Sequence, residues 1–224
     1  MKNIEKKYKF AVIATDVVIF TIKDEALNVL LIKMKKEPFT DRWAVPGGLI
    51  KGSESVDEAA KRVLCEKAGV KNVFLEQLYT FGKTDRDPFG RVVSVAYYAL
   101  IPSDGLNLKT TKEYADIGWY WVNDLPKMAY DHKEIINFAM MRLQSKLEYT
   151  NIVYSLLPEE FTLTDLQKTY EIILNKEFDK RNFRKKILAL KLIKPTGEKQ
   201  VGSANRPAAL YNFITREPKN IEIL

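Results

Sequence analysis

Apolar residues in the first half of the chain alternate with polar residues or form short runs, which is typical of β-strands. The pattern predicts strands at about Lys9–Ile22, Leu27–Met34, Asn72–Phe81, Arg91–Ile101 and Trp119–Val122. Helical spacing interrupts them at about Ser55–Lys67 and closes the region at about Lys133–Leu147. Residues 8–126 are therefore predicted to form a mixed sheet with one early helix packed against it.

From about Thr150 the spacing of apolar residues becomes helical. Pro158 ends a short helical stretch, and Thr164 is predicted to begin a helix, with Gln167 at the third position as a reciprocal capping partner. One face of this helix carries apolar residues at helical spacing, which predicts a buried stripe. The stripe consists of Leu166, Tyr170, Ile173 and Leu174.

A second helix is predicted from Lys180 to about Leu190, with Asp179 as its N-cap. A turn at Pro195–Gly197 and a strand at Ala208–Ile214 follow it. Helix, turn, helix and a two-stranded ribbon are the layout of a winged helix-turn-helix. The chain is thus predicted to be α+β, with one domain at 1–149 and a winged helix at 150–224.

Composition narrows the class of protein. The chain has 224 residues, 46% of them hydrophobic, which excludes wholesale disorder. No apolar run approaches the roughly 18 residues of a membrane span, and the charged start does not resemble a secretory signal. The single cysteine, Cys65, cannot form an internal disulfide, and with the single histidine, His132, it cannot build a zinc site. We therefore expect a cytoplasmic protein without a membrane partner, in which any metal would need oxygen ligands.

The net charge of +7 is concentrated in the second region. Between Lys180 and Arg206 there are nine basic residues and one acid, Glu198. Such a stripe indicates a polyanionic partner, although a solvated lysine-rich surface has the same composition. We predict that this region contacts double-stranded DNA through Lys180, Arg181, Asn182, Arg184, Lys185, Lys199 and Arg206.

The predicted second helix has two faces. Phe183 and Ile187 fall on one side, and Arg181, Arg184 and Lys185 fall on roughly the opposite side. Three cations near the helix N-terminus are suited to a recognition helix, which commonly reaches base edges from that end. An ordinary amphipathic surface helix would explain this helix, but it would not explain why the following wing loop is also basic.

The segment Gly48–Val70, GLIKGSESVDEAAKRVLCEKAGV, resembles the sequence box of the Nudix hydrolase family. That box reads Gly, five residues, Glu, seven residues, Arg-Glu-apolar, any, Glu-Glu, any, Gly, apolar. Seven of its fixed positions match, namely Gly48, Glu54, Arg62, Leu64, Glu66, Gly69 and Val70. The resemblance implies a Nudix α/β/α sandwich with a mixed sheet, in which the box forms a loop, a helix and a second loop.

Two positions of the box depart from the family, since Val63 and Lys67 stand where the family has glutamates. Positions 63, 66 and 67 share one helix face, where active members hold magnesium against a diphosphate. Only Glu66 remains there, so we expect no functional catalytic set and no cofactor. Magnesium is expected only if carboxylates from elsewhere sustain residual hydrolysis of ADP-ribose or another nucleoside diphosphate derivative, which is the alternative function.

A box that has lost its metal ligands can still border a binding pocket. Lys67 could meet a phosphate directly, and Arg86 and Arg91 could clamp a phosphate or carboxylate or be ordinary loop arginines. Trp43 could stack on a base or sugar, although core packing is the commoner role. The predicted effector-binding residues are Trp43, Gly48, Lys67, Arg86, Asp87 and Arg91.

The two regions together resemble the Nudix-related transcriptional regulators called NrtR. Besides RVLCEKAGV in the box, the similar segments are FTLTDLQKTYE, DKRNFRKKILALKLI and NRPAALYNF. The resemblance implies a homodimer, joined largely through its Nudix domains, that binds a palindromic operator and responds to a small effector. Known branches sense ADP-ribose or related NAD metabolites, and a sister branch senses sugars such as arabinose. The sequence leaves the effector and the sign of regulation open.

Overall fold

A computed structural model of the chain describes residues 10–69, 71–103, 108, 114–200 and 207–221. These residues form two compact units. The first contains the described residues within 1–20, 28–99 and 106–139, and the second contains those within 21–27, 100–105 and from 140 onwards. The helix His132–Tyr149 contributes to both units, so the predicted boundary between 149 and 150 stays a prediction.

The first unit is built on a seven-stranded sheet. Its path runs β3-β2-β1-β6-β5, with β4 paired to β1 and β7 paired to β2. Both side pairings are antiparallel, with Ala14 opposite Leu49 and Asn28 opposite Trp121. The strands are β1 (Val12–Lys23), β2 (Ala26–Met34), β3 (Trp43–Ala44), β4 (Gly47–Leu49), β5 (Phe74–Phe81), β6 (Val92–Leu100) and β7 (Tyr114–Trp121).

Strands β1 and β2 lie at the centre of the sheet because their apolar runs are buried on both faces. Val17–Phe20 and Val29–Leu31 are fully inaccessible to solvent, as expected of strands covered on both sides. The five strands predicted from the sequence are present. The pattern does not delimit β4, because three residues show no periodicity, and β7 begins at Tyr114 rather than at Trp119.

Two helices complete this fold, α1 (Val56–Ala68) and α2 (His132–Tyr149). Ser55 begins α1 with a capping box, in which its side chain and that of Glu58 each accept a hydrogen bond from the other's backbone N–H. Gly69 ends the helix in the left-handed region, at φ 70°, and its N–H donates to the carbonyl of Cys65. Both helices lie where the sequence predicts them, which confirms the α+β class.

The second unit contains a short helical turn, two further helices and a small sheet. The sheet order is β8-β10-β9, with antiparallel pairing on both sides of β10. In chain order the elements are a 3-10 helix (Ile152–Leu156), β8 (Phe161–Thr162), α3 (Leu163–Leu174), α4 (Lys180–Ala189), β9 (Ile193–Lys199) and β10 (Ala209–Phe213). This is the helix-turn-helix and ribbon arrangement that the sequence predicts.

The residue predicted to cap the N-terminus of α3 is wrong by two positions. Thr162, not Thr164, is the N-cap, and Asp165 is its reciprocal partner. Thr162 is extended, at φ −88° and ψ 159°, because β8 pairs with β10 up to this residue. Gln167 instead donates from its side-chain amide to the carbonyl of Phe178 and so fastens the turn after the helix.

The predicted turn at Pro195–Gly197 is also wrong, because β9 runs through it to Lys199. The register with β10 shifts between Ala209 and Tyr211, which is the mark of a β-bulge. Gly197 adopts φ 92°, a conformation that favours glycine, so the Pro-Thr-Gly sequence bends the strand instead of ending it. No helix among the described residues is both long and apolar enough to cross a bilayer.

Candidate functional site

A cavity of about 210 Å³ opens in the first unit. It lies against β1 and β2, beside the β3–β4 segment, the loop before β6 and the start of α2. Its wall combines aliphatic and aromatic side chains with a few ionisable groups, as small-molecule sites usually do. The lining residues are Ala14, Asp16, Ile32, Met34, Ala44, Val45, Gly47, Gly48, Leu49, Arg86, Asp87, Val92, Tyr114, Tyr130 and His132.

A buried ion network forms the polar part of this wall. Arg86 donates from Nε and Nη2 to the two oxygens of Asp131, at 2.9 and 2.8 Å, and from Nη2 to Asp16 Oδ2 at 3.3 Å. The Ser94 hydroxyl donates to the same Asp16 oxygen at 2.6 Å. Burial disfavours the Arg86 charge, but Asp131 and Asp16 outweigh it and raise its pKa. The guanidinium is thus held by carboxylates of the protein itself.

His132 completes the network as a neutral ring. Its Nδ1 accepts a hydrogen bond from the backbone N–H of Val45 at 3.0 Å, and its Nε2 lies 3.6 Å from Asp16 Oδ1. Burial lowers the pKa of His132, with Asp16 opposing that effect. Because Nδ1 accepts, the proton of the neutral ring is on Nε2 and points toward Asp16. The ring thus directs an N–H dipole toward the Asp16 carboxylate at the cavity wall.

Gly47 is required where β4 passes beside Asp16. A Cβ atom at this position would lie 2.2 Å from Asp16 Oδ1 and 2.8 Å from the carbonyl oxygen of Thr15. A Cβ atom at the neighbouring Gly48 would meet nothing within 4 Å. Because glycine has no side chain, Gly47 leaves room for the carboxylate of Asp16.

The matching residues of the Nudix-like box bind one another. Arg62 donates from Nε and Nη2 to both oxygens of Glu54, at 2.9 and 2.7 Å, and contacts Glu66 at 3.4 Å. The Lys51 backbone N–H also donates to Glu54. The hydrogen bond from Arg62 and then that from Lys51 lower the pKa of Glu54 to about 2. Glu54 and Arg62 therefore tie the loop before α1 to the helix.

The two departing residues leave no metal-binding face on α1. Val63 is 1% exposed and belongs to the core, and Lys67 is 5% exposed. The Lys67 Nζ lies 4.4 Å from the centroid of the Tyr114 ring, a cation–π contact. Among the residues that the structure describes, no three acidic, His or Cys side chains are grouped to hold a metal. At the three box positions 63, 66 and 67, Glu66 alone offers the oxygen ligands that magnesium requires.

The predicted effector-binding residues divide into two groups. Gly48, Arg86 and Asp87 line the cavity. Trp43, Lys67 and Arg91 are not among its lining residues. Trp43 packs on Tyr120 with ring centroids 4.5 Å apart, and Arg91 donates to the carbonyls of Gly82 and Lys83. Whether any of the six binds a ligand stays a prediction.

Sequence patterns do not single out four other residues of the wall, Asp16, Tyr114, Tyr130 and His132. Asp16 offers one signal, because it is an acid within the apolar run of β1. Tyr114 and Tyr130 offer none, since aromatic residues are also frequent in cores. His132 is distinguished in the sequence only as the single histidine of the chain, which with one cysteine cannot build a zinc site.

The second unit presents α4 with its cations outward. Phe183 and Ile187 are buried, and Asp179 caps the helix by accepting from the N–H of Asn182 at 2.8 Å. The predicted contact residues Lys180, Arg181, Asn182, Lys185 and Lys199 are all exposed. Predicted contact residue Arg206 lies outside the described residues.

Two residues of this face differ from the others. Arg184 is half-buried and donates to the hydroxyl of Thr164 at 3.1 Å, so it also fastens α4 to α3. Leu188 is 45% exposed on the cationic side. The face is thus a band of cations with one apolar position at its C-terminal end.

A helix-turn-helix with a cationic second helix and a ribbon, in one chain with a unit that contains a lined cavity, is typical of a DNA-binding regulator with a sensor domain. The NrtR DNA-binding winged helix domain family matches residues 153–213, and the NUDIX domain family matches residues 12–138.

Two relatives match this chain over both the Nudix and the winged-helix regions. The ADPR responsive transcriptional repressor NtrR of Acinetobacter baylyi is 33% identical over 215 residues, which cover 94% of this chain and 85% of that protein. The crystal structure of Shewanella oneidensis NrtR complexed with a 27mer DNA superposes with a TM-score of 0.80 at 34% identity, covering 90% of this chain and 93% of that one.

Two further matches concern the first part alone. The NUDIX domain of Shewanella oneidensis NrtR complexed with ADP ribose has a TM-score of 0.54 at 34% identity, covering 62% of this chain and 92% of that one. The ADP-ribose pyrophosphatase of Methanocaldococcus jannaschii is 34% identical over 113 residues, which cover 50% of this chain and 66% of that enzyme.

The chain belongs to the NrtR family of Nudix-related transcriptional regulators. The predicted Nudix fold with a C-terminal winged helix is confirmed, and so is the predicted class, a ligand-responsive transcriptional regulator. The Acinetobacter relative, named as a transcriptional repressor, and Shewanella NrtR, crystallised with DNA, match nearly the whole chain, whereas the archaeal pyrophosphatase matches only half of it.

Proposed function

We propose that this chain is a repressor that binds ADP-ribose in the cavity of its Nudix unit and then loses affinity for its operator. The observation that carries the proposal is that one chain holds both a lined cavity and a helix with outward cations. The relative from Acinetobacter is named as an ADPR responsive repressor, and the NUDIX domain of the Shewanella relative was crystallised with ADP ribose. Both similarities favour ADP-ribose over a sugar such as arabinose.

The chemistry of the cavity suits a ligand with hydroxyl groups. Asp87 uses one carboxylate oxygen to accept from the N–H of Phe89 at 2.8 Å, and its second oxygen can accept from a ribose hydroxyl. Asp16 is held by hydrogen bonds from Ser94 and Arg86, so its position does not depend on the ligand. Carboxylate oxygens held in this way can accept hydrogen bonds from the hydroxyl groups of a ligand.

We further propose that the Nudix unit does not hydrolyse its ligand at an appreciable rate. Magnesium requires near-octahedral oxygen ligation. On the helix face that carries Glu66, the other two positions are Val63 and Lys67, which are both buried and supply no oxygen ligand for magnesium. A sensor that leaves its ligand intact reports the ligand's concentration, which is consistent with a regulatory role.

The active species is proposed to be a cytoplasmic homodimer. Each winged helix would place α4 in the major groove of one half-site, and Lys199 would lie near the backbone at the ribbon. ADP-ribose would stabilise a dimer whose two α4 helices no longer match adjacent half-sites. The coupling follows from linkage, since a ligand shifts the dimer toward whichever arrangement binds it better.

Fluorescence anisotropy tests the switch. A palindromic duplex selected from a random library is titrated with the full chain, alone and with ADP-ribose, AMP or arabinose. We expect ADP-ribose to weaken DNA binding by about 5- to 150-fold, the usual range of allosteric coupling. Unchanged DNA affinity with ADP-ribose would refute the proposal, and a response to arabinose alone would assign the chain to the sugar-sensing alternative.

Hydrolysis is tested separately. The chain is incubated with ADP-ribose and magnesium, and AMP is quantified, with a magnesium-dependent ADP-ribose pyrophosphatase as the positive control. We expect turnover to remain near the uncatalysed background. Release of AMP at the rate of the control enzyme would establish the alternative, a Nudix hydrolase with an accessory DNA-binding domain.

A further inference from the structure

Leu188 is an exposed leucine that lies among cations on the outward face of α4. Its side chain is 45% exposed, whereas Ile187 beside it is buried. Exposed leucines are common on protein surfaces, so exposure alone indicates no function. The position of Leu188 is more informative, because it follows the exposed Arg181 by seven residues and the exposed Lys185 by three. This spacing places the three side chains in one line along the helix, which we name the outward stripe.

The end of α4 holds Leu188 in regular helix. The N–H of Leu190 donates to the carbonyl of Lys186 at 3.2 Å, and the N–H of Lys191 donates to the carbonyl of Leu188 at 3.2 Å. Lys191 then turns the chain away from the helix with φ 53°. The leucine is therefore presented on the same rigid element as the two cations of the outward stripe.

The outward stripe is short enough to lie within one major groove of DNA. Seven residues of helix span about 10 Å at roughly 1.5 Å per residue, and the groove is about 12 Å wide. Both ends of the stripe can therefore reach the groove at the same time. The two cations complement the negative charge of DNA, so this surface fits a nucleic acid better than the apolar surface of another protein.

A leucine side chain has one favourable partner among the base edges in the major groove. Adenine, guanine and cytosine present hydrogen-bond donors and acceptors there, whereas thymine also presents its C5-methyl group. Leucine can neither donate nor accept a hydrogen bond, so against a polar edge it would exclude water without replacing the lost hydrogen bonds. Against the methyl group it would bury apolar surface on both partners.

We propose that Leu188 is a specificity-determining residue that contacts the methyl group of one thymine in each half-site of the operator. Arg181 and Lys185 attract DNA of any sequence where they meet phosphates, and Leu188 adds a preference for thymine at one position. This assignment rests on the proposed placement of α4 in the major groove.

Deoxyuridine tests the contact, because it lacks only the methyl group of thymine and pairs with adenine in the same way. The full chain is titrated by fluorescence anisotropy with a palindromic duplex selected from a random library. Further duplexes carry deoxyuridine in place of thymine, at one position of both half-sites at a time. Leu188→Ala removes the apolar contact, and Leu188→Met retains it. Met141→Ala is the matched control, because Met141 is an apolar residue that is 57% exposed on α2.

We expect deoxyuridine at one position to weaken binding of the natural chain by about fourfold for each half-site, the scale of one buried methyl group. Leu188→Ala should weaken binding of the thymine duplex by the same factor and leave binding of that deoxyuridine duplex unchanged. Leu188→Met should still prefer thymine. Met141→Ala should bind every duplex as the natural chain does.

The outcomes separate this inference from the proposed function. If the natural chain binds its selected duplex but no deoxyuridine replacement weakens binding, the thymine contact is wrong and the ligand-responsive repressor still stands. An undiminished preference for thymine over deoxyuridine in Leu188→Ala would assign the methyl contact to another residue and overturn the inference. Equal weakening of both duplexes by Leu188→Ala, with loss of the dimer in size-exclusion chromatography, would show that Leu188 contacts a second copy of the chain instead. Failure to select any duplex would refute both the inference and the proposed function.

Discussion

Gly47 shows how one missing side chain shapes the cavity. Substitution to alanine would force Asp16 or the β4 backbone to move, because the new Cβ would meet Asp16 Oδ1 at 2.2 Å. We expect Gly47→Ala to lower the free energy of unfolding by about 1–3 kcal/mol, the usual cost of overpacking. Gly48→Ala is the control, since nothing lies within 4 Å of a Cβ there, and should change stability by less than about 0.5 kcal/mol. Urea unfolding measures both, and equal effects would contradict the explanation.

The Glu54–Arg62 pair gives the box a predictable pH dependence. Arg62 and the Lys51 N–H lower the pKa of Glu54 from 4.5 to about 2 in the folded chain. A carboxyl with a lowered pKa stabilises the fold above its unfolded pKa and loses that contribution as the pH falls through the folded pKa. We expect Glu54→Gln to be less stable than the natural chain at pH 6, and the difference to shrink between pH 4.5 and 2.

Chemical unfolding of the natural chain and Glu54→Gln at several pH values checks this expectation. Glu76→Gln, on β5 away from the pair, serves as the control for removing one negative charge. A stability difference between natural chain and Glu54→Gln that stays constant from pH 6 to pH 2 would show that the carboxylate charge is not what stabilises the box.

At the scale of elements, the N-cap of α3 is Thr162 and not Thr164, and substitution of each threonine can test this. Thr162 accepts from the N–H of Asp165 at 3.1 Å, whereas Thr164 lies within the first turn and is exposed. We expect Thr162→Ala to cost about 1 kcal/mol of stability, as the loss of a threonine cap usually does. Thr164→Ala should cost clearly less, since only the hydrogen bond from Arg184 is lost. Urea unfolding of both variants decides, and the reverse ranking would restore the sequence-based cap.

Helix α4 carries the DNA-binding prediction. Arg181 and Lys185 are exposed and lie opposite the buried Phe183. We expect Arg181→Ala and Lys185→Ala each to weaken binding to all duplexes and to lower the slope of log affinity against log salt by about 1, if each meets one phosphate.

Lys186→Ala is the matched control on the same helix. Lys186 borders a groove with Glu148 and Leu174 instead of the outward face, so its removal changes the charge equally but not the contact. Anisotropy at several salt concentrations compares the three variants. An identical loss in all three would mean that net charge alone, and not the face of α4, determines binding.

At the scale of the whole molecule, the proposed homodimer fixes the spacing of half-sites. Two recognition helices related by a two-fold axis reach half-sites about one DNA turn apart. Inserting about 5 base pairs between half-sites rotates one of them to the opposite side of the duplex. We expect affinity to fall by at least about tenfold, because the second contact then ceases to benefit from being tethered. Anisotropy with both duplexes measures this, and equal affinities would indicate independent monomers.

Local patterns determined most of the elements of this protein. Helix α1 follows from Ser55, Glu58 and Gly69, and the cationic face of α4 follows from the spacing of Arg181 and Lys185. Such features depend on residues within a turn or two of each other, which is why they can be recognised in the sequence. The box and the winged-helix segments identified the family for the same reason, since each is a contiguous run.

Only the tertiary structure determines which residues form the cavity. It also explains why the N-cap of α3 differs from the one that the sequence predicts. Asp16, Arg86, Asp131 and His132 come from three separate parts of the chain, and no spacing rule joins an acid in β1 to a loop seventy residues away. The cap of α3 lies at Thr162 because β8 pairs with a strand near the C-terminus. Local sequence thus determined which elements form and which face is charged. Which polar groups meet depends on pairings between distant strands, because burial and hydrogen bonding are satisfied only once the sheet is assembled.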